Sequence, residues 1–218
     1  FVAAVGAPLV PLRLGPADWV NAELFRPKEP AAPKTHDLVM VANWSPQKRH
    51  ALLFKALRQV QRDLRVLLIG FPWADRTAAD VRAEVAAFGN PRVHVDILEQ
   101  VPQAELAGLV GACKAFVFLN RKEGDNKALV QAMFAHVPAI VYDRTVGGAR
   151  SRINASTGIL SSDEALAQNI EYMLDHLADF APRAWATAHT GSENATRLLD
   201  AALRSAAVAQ GRPCTESV

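Results

Sequence analysis

The chain has 218 residues, half of them hydrophobic, with 24 basic against 22 acidic side chains and a formal net charge of +2. That is enough apolar material for one large core or two small ones, and it excludes a disordered chain. A balance so close to neutral, with no run of lysines and arginines, leaves no footprint for nucleic acid, which is excluded as a partner. The opening FVAAVGAPLVPL is apolar but lacks the basic start of a signal peptide, and with no initial methionine it is expected to be a piece of a longer protein. Pro27, Pro30 and Pro33 space out a stiff segment, so residues 1–34 read as an interdomain connector or the remnant of a missing N-terminal domain.

From residue 35 onward strands and helices alternate. The pattern predicts strands at 37–42, 65–70 and 93–98, separated by helices at 47–61 and 74–88, with a further helix at 103–112. Phe116 to Leu119 is an unbroken apolar run, as a strand buried on both faces requires, and Pro138 opens a second such run at 137–142. Between them lie a polar loop, Asn120 to Asn126, and a helix starting near Asn126. After Asp143 come the pair Gly147 and Gly148, a short strand at 158–160, and a helix from about Ser162, signalled by the acids behind Ser161. Helices at 181–190 and 192–209 are parted by Gly191, and residues 210–218 read as a disordered tail. Such alternation builds a parallel sheet with helices on both faces. The fold class is therefore α/β, doubly wound and Rossmann-like, over residues 35–190, followed by a C-terminal helix at 191–209.

In a sheet of this kind the loops leaving the carboxyl ends of the strands share one crevice, and that crevice is where ligands bind. The loop from Asn120 to Asn126 belongs there, with the free N–H groups of the next helix beside it, an arrangement that favours phosphate. Lys48, after the first strand, stands on the same edge. It is either a ligand of a diphosphate or a solvated cation in an unfavourable first turn. Glu123 either meets a polar, uncharged part of that ligand or caps the helix, and Gly147 with Gly148 either admits a ligand closely or makes a turn. The histidines fall in separate elements without i, i+4 pairing, so no metal site is expected. Two cysteines, Cys113 and Cys214, offer neither a zinc spacing nor a disulfide framework, which fits a reducing cytoplasm. No apolar run approaches the ~20 residues of a membrane span, and a membrane-surface role at the inner face stays open. The sequence carries no G-x-G-x-x-G after a strand, no P-loop, no G-x-S-x-G and no H-E-x-x-H, which removes the main support for dehydrogenase, NTPase, hydrolase and zinc-protease readings.

Three pieces then fall in a telling order: GPADWVNAELFRP from Gly15 to Pro27, VANWSPQKR around Lys48, and Glu123-Gly124 followed by Gln131-Ala132-Met133 and Pro138. They resemble the N-G-V-D…F-x-P leader, the V-G-R-L-x-x-x-K-G segment and the E-G-x-x-x-x-x-x-E-A-M motif of GT-B glycosyltransferases, in particular the C-terminal donor-binding domain of retaining family 4 (group 1). Gly147, Gly148 and the GIL at 158–160 follow in the family's order, so the likeness runs from about Gly15 to about Leu160.

The resemblance implies the nucleotide-sugar-binding half of a GT-B fold. It implies transfer of a hexosyl group from a nucleoside diphosphate sugar with retention of configuration, as in polysaccharide biosynthesis, with no cofactor and no essential metal. Lys48 and Glu123 would be the catalytic pair, the first on the diphosphate and the second on hydroxyls of the transferred sugar. Backbone near Gly124, Asp125, Asn126 and Lys127 would hold sugar or phosphate oxygens, the base would meet backbone from Leu98 to Val101, and Gln131 would face the ribose. Gly147 and Gly148 complete the implied donor site. Three positions depart from the pattern. Asn43 replaces an arginine, for which Arg49 is the expected substitute cation; Gln131 replaces a glutamate; and Ser151 stands where a glutamate often follows the glycines. An acceptor glycan or lipid would bind in the missing N-terminal domain, leaving this half inactive alone. Two other readings stay open: a degenerate domain serving as a scaffold or interaction module, and half of a sugar-nucleotide epimerase.

Overall fold

The computed structural model describes residues 11–27 and 33–212. Expectations for residues 1–10, for Pro30 and for the tail beyond Arg212, Cys214 included, lie outside the described residues. Six strands form one sheet: β1 (His36–Val41), β2 (Leu64–Gly70), β3 (Val93–Glu99), β4 (Cys113–Phe118), β5 (Ala139–Tyr142) and β6 (Gly158–Ser161). Their order is β3-β2-β1-β4-β5-β6, and every neighbouring pair is parallel. This is the doubly wound Rossmann-like layer that the alternation of elements predicts.

Parallel neighbours need crossovers, and these helices divide between the two faces. Helices α1 (His50–Leu57), α2 (Ala78–Phe88) and α5 (Leu166–Asp175) cover one face, where Leu38, Met40, Leu68, Val117 and Ile140 meet Leu53, Val81 and Ile170. On the other face α3 (Gln103–Gly111), α4 (Lys127–Phe134) and α6 (Pro182–His189) lie over Val39, Phe116, Phe118 and Val141. Leu38 and Met40 face one way and Val39 the other, the period of two that a strand buried on both sides requires. A last helix, α7 (Ser192–Ala209), runs as the sequence predicts. Residues ahead of β1 also join this fold, because Ala17, Val20 and Phe25 are buried in the second of these cores.

Two helices are shorter than the sequence pattern predicts, and α5 begins at Leu166, after a turn at 163–165, not near Ser162. The stretch 47–61 is broken at Arg49, whose φ of 63° and ψ of 41° are left-handed, so a 3-10 turn, Pro46–Lys48, precedes α1. Helix α2 begins at Ala78, not at residue 74, because Trp73 and Arg76 exchange backbone hydrogen bonds and Thr77 forms a capping box with Asp80.

Candidate functional site

The strand order reverses between β1 and β4, so the crossovers on either side run in opposite directions and leave a crevice over the carboxyl ends of the strands. A hollow of 480 Å³ lies in it, of a size suited to a small ligand. Four strand ends supply its wall: Asn43 and Lys48 after β1, Phe71 after β2, Gln100 and Val101 after β3, and Glu123, Asp125, Asn126, Lys127 and Ala128 after β4.

Lys48 ends the 3-10 turn and does not start a helix, yet its side chain still crosses to the loop behind β4. Its Nζ lies 2.8 Å from Glu123 Oε2. Glu123 is held from two further directions: the Asn120 amide donates to the same oxygen, and Asn126 Nδ2 donates to Oε1 at 3.0 Å. Asn126 also caps α4, accepting the Leu129 N–H at 2.7 Å through Oδ1, so capping falls to the asparagine and not to the acid. Among the described residues the N–H groups from Gly124 to Ala128 make no hydrogen bond, leaving consecutive donors at the positive end of a helix beside the hollow.

The remaining sequence-predicted residues divide. Asn43 lines the hollow, its Oδ1 accepting the Ser45 N–H at 3.3 Å. Lys127 lines it too, and among the described residues its ammonium has no partner. Gln131 is 6% exposed and sits on the α4 face of Ala128, one turn further in; its amide makes no hydrogen bond among the described residues. Arg49 stands elsewhere. Its guanidinium donates to the Leu119 carbonyl at 3.2 Å, pairs with Asp163 and stacks 4.7 Å over the Tyr142 ring. Leu98 and Gly124 are outside the lining, and Gln100 and Val101 form that side of the wall. Gly147 and Gly148 lie behind the loop. Gly148 N–H donates to Gly124 O at 2.9 Å, and a Cβ on Gly147, at φ 127°, would stand 1.6 Å from Glu123 O. The close approach that the glycines allow is to the loop itself.

Sequence reasoning placed Asn120 in the crevice only as the start of its loop, and missed Phe71 and Pro16. Phe71 directly follows β2 at its carboxyl end, so the edge rule that located Glu123 could have found it. Pro16, also on the wall, is brought there by its 3-10 turn, Pro16–Trp19. There the Ala17 N–H donates to Asp125 Oδ2 at 2.8 Å, and Arg152 grips both Asp125 and Asp18, with Nη atoms 3.0 to 3.2 Å from their oxygens. Burial raises the Asp18 pKa, but hydrogen bonds from Arg152, Thr190 and Gly15 more than reverse this, and the net shift is downward. Behind Lys48, His50 is buried against Trp44 with neither ring nitrogen hydrogen-bonded among the described residues. Burial, with the charges of Arg76 and Lys48, lowers its pKa to about 4. No group of three or more His, Cys, Asp or Glu among the described residues is placed to hold a metal ion, and no helix there is long and apolar enough to cross a membrane.

Residues 21–183 match the sequence profile of the family glycosyl transferases group 1. The chain belongs to that family. No curated protein sequence matches it. Solved structures of similar fold include sucrose-phosphate synthase from Thermosynechococcus elongatus, at TM-score 0.71 and 23% identity over 88% of this chain and 52% of that one. HepE from Anabaena, in complex with UDP-glucose, gives 0.68 and 16% over 86% and 56%. The pneumococcal O-GlcNAc transferase GtfA, in complex with UDP and GlcNAc, gives 0.63 and 15% over 85% and 38%. This group 1 chain thus spans about half the length, or less, of the structures it matches, and shares their GT-B Rossmann-like fold.

Proposed function

We propose that this chain is the donor-binding half of a retaining GT-B glycosyltransferase that moves a hexosyl group from a nucleoside diphosphate sugar to a glycan or lipid acceptor. The contact between Lys48 Nζ and Glu123 Oε2 on the wall of the carboxyl-edge hollow carries the reading, because it brings together the cation for a diphosphate and the acceptor group for sugar hydroxyls. The free N–H groups from Gly124 to Ala128 are suited to phosphate or sugar oxygens, Gln131 to the ribose, and Phe71 with Gln100 and Val101 to the base. Lys127, not Arg49, is the cation that offsets the arginine missing at Asn43. HepE was solved with UDP-glucose and GtfA with UDP, which makes uridine diphosphate the first donor fragment to try.

In the transfer, the bond between the anomeric carbon and the diphosphate oxygen breaks and its electron pair stays on the diphosphate. The acceptor hydroxyl oxygen bonds to that carbon on the same face, and its proton passes to the departing phosphate oxygen. Lys48, Lys127 and the α4 N–H groups stabilise the charge that grows on the leaving group, the main lever in such a site. The other half of the GT-B fold, outside this chain, completes the acceptor site, so the chain binds donor without turnover. Titration with uridine, guanosine and adenosine diphosphates tests this. Binding of one of them that Lys48→Ala weakens at least about tenfold, as loss of a charge-assisted contact predicts, supports a donor site. Silence with all three leaves the scaffold reading, which the exchanges at Asn43 and Gln131 favour.

A further inference from the structure

The two loops that join at Lys48 and Glu123 also line a second hollow. Its volume is 610 Å³ and its lining is Pro46, Gln47, Arg49, Arg121 and Lys122. The residues flanking Lys48 in sequence line it, as do the two that immediately precede Glu123, whereas Lys48 and Glu123 themselves line the first hollow. The charge of the second hollow is one-sided. Three of its five lining residues are cations, and no carboxylate is among them. Arg49 is already shared with Asp163 and the Leu119 carbonyl. Arg121 and Lys122 are exposed, and their side chains have no partner among the described residues. In a chain of nearly balanced charge, two adjacent unpaired cations beside a third at a concave surface make a local anion site.

We propose that this hollow binds a phosphoryl group carried by the acceptor. The inference rests on the donor reading above and deepens it by giving the acceptor a chemical class. The donor's own phosphates are accounted for by Lys48, Lys127 and the α4 N–H groups in the first hollow. An anion held at Arg121 and Lys122 is therefore a second one, on the residues immediately before Glu123, the proposed contact of the transferred sugar. A hydroxyl on the same molecule is then tethered within reach of the anomeric carbon, which converts part of the encounter into an intramolecular step. A soluble sugar or polyol phosphate and a lipid phosphate headgroup share this chemistry.

Three probes applied to the chain separate the outcomes: glycerol 3-phosphate, uridine diphosphate, and vesicles of phosphatidylglycerol with phosphatidylcholine vesicles as the neutral control. The variant is the surface double exchange Arg121→Gln with Lys122→Gln. Glycerol 3-phosphate or phosphatidylglycerol binding should fall at least about tenfold in the double variant, while uridine diphosphate affinity stays within about twofold. Lys48→Ala should show the opposite pattern. Binding of the free phosphate identifies a soluble source, and binding to the anionic vesicles alone identifies a lipid headgroup. The proposal is overturned if wild type binds neither glycerol 3-phosphate nor phosphatidylglycerol, if the double variant binds them unchanged, or if it loses uridine diphosphate instead. If uridine diphosphate fails to bind wild type while the phosphate effect holds, the donor reading falls and the anion site stands without its acceptor role.

Discussion

Arg49, the substitute cation expected from the sequence, and Lys127, expected to act through its backbone, have different neighbours. Arg49 follows the proposed diphosphate lysine directly, yet its left-handed backbone turns it out of the first hollow towards Asp163 and Tyr142. Sequence adjacency therefore misleads here, because the side a residue faces depends on a backbone break that no periodicity reveals. Lys127→Ala should weaken uridine diphosphate binding about fivefold, the effect of about 1 kcal/mol expected for an exposed charge-assisted contact. Arg49→Ala should leave it within about twofold and lower the melting temperature instead. Calorimetric titration beside a thermal melt reads both. His50 carries a second residue-scale consequence. Its folded pKa, about 4, is below the unfolded value of 6.5, so the unfolded chain binds the extra proton first. Stability from neutral His50 is complete above pH 6.5 and is lost as pH falls towards 4, by about 3 kcal/mol at ~1.4 kcal/mol per pKa unit. His50→Phe should flatten the slope of urea-unfolding free energy against pH in that window.

The central strands were legible because each carries an apolar run between turn residues, and burial on both faces leaves such a run no other use. Helix starts were less legible. Ser45 and Pro46 give a start signal, and the chain answers it with a 3-10 turn before the helix proper. The glycine pair shows the same limit at the level of a loop, since its sequence is equally that of a ligand-facing turn or a packing turn. Gly147 supports the Glu123 backbone from behind, and at φ 127° any side chain there is strained as well as obstructed. Gly147→Ala should destabilise the chain by about 2 kcal/mol or more and push the loop towards the hollow. Because Glu123 is on that loop, affinity for UDP-glucose should fall more than affinity for uridine diphosphate. Parallel titrations of the two ligands against wild type and variant decide it.

Nothing in the sequence marks Asp18, Asp125 and Arg152 as partners, since they are more than a hundred residues apart in two of their three pairings, and the motifs that hold Asp18 and Asp125 point neither to each other nor to Arg152. In the folded chain they tie the segment ahead of β1, the loop behind β4 and the connection before β6 into one cluster, with Thr190 donating to Asp18 at 2.7 Å. Arg152 is buried. Burial pulls its pKa down, and the Asp18 hydrogen bond with the Asp125 charge more than restores it, so the guanidinium remains a cation. Removing one member of such a cluster is worse than never having built it, because the partners left behind keep their desolvation without their compensation. Arg152→Ala strands two carboxylates and should cost about 3–5 kcal/mol, measured by urea unfolding at pH 7. Asp18 predicts how that loss varies with acid. Its folded pKa is below 3.8, so its contribution is present above that value and disappears as pH falls through the lower folded value. In the Arg152→Ala chain the main support for the low pKa is gone. The wild-type advantage over the variant should therefore hold steady from pH 7 to about 5 and shrink below pH 4, in a window separate from that of His50. An advantage unchanged down to pH 3 would mean that packing of the arginine stem, not its charge, holds these three segments together.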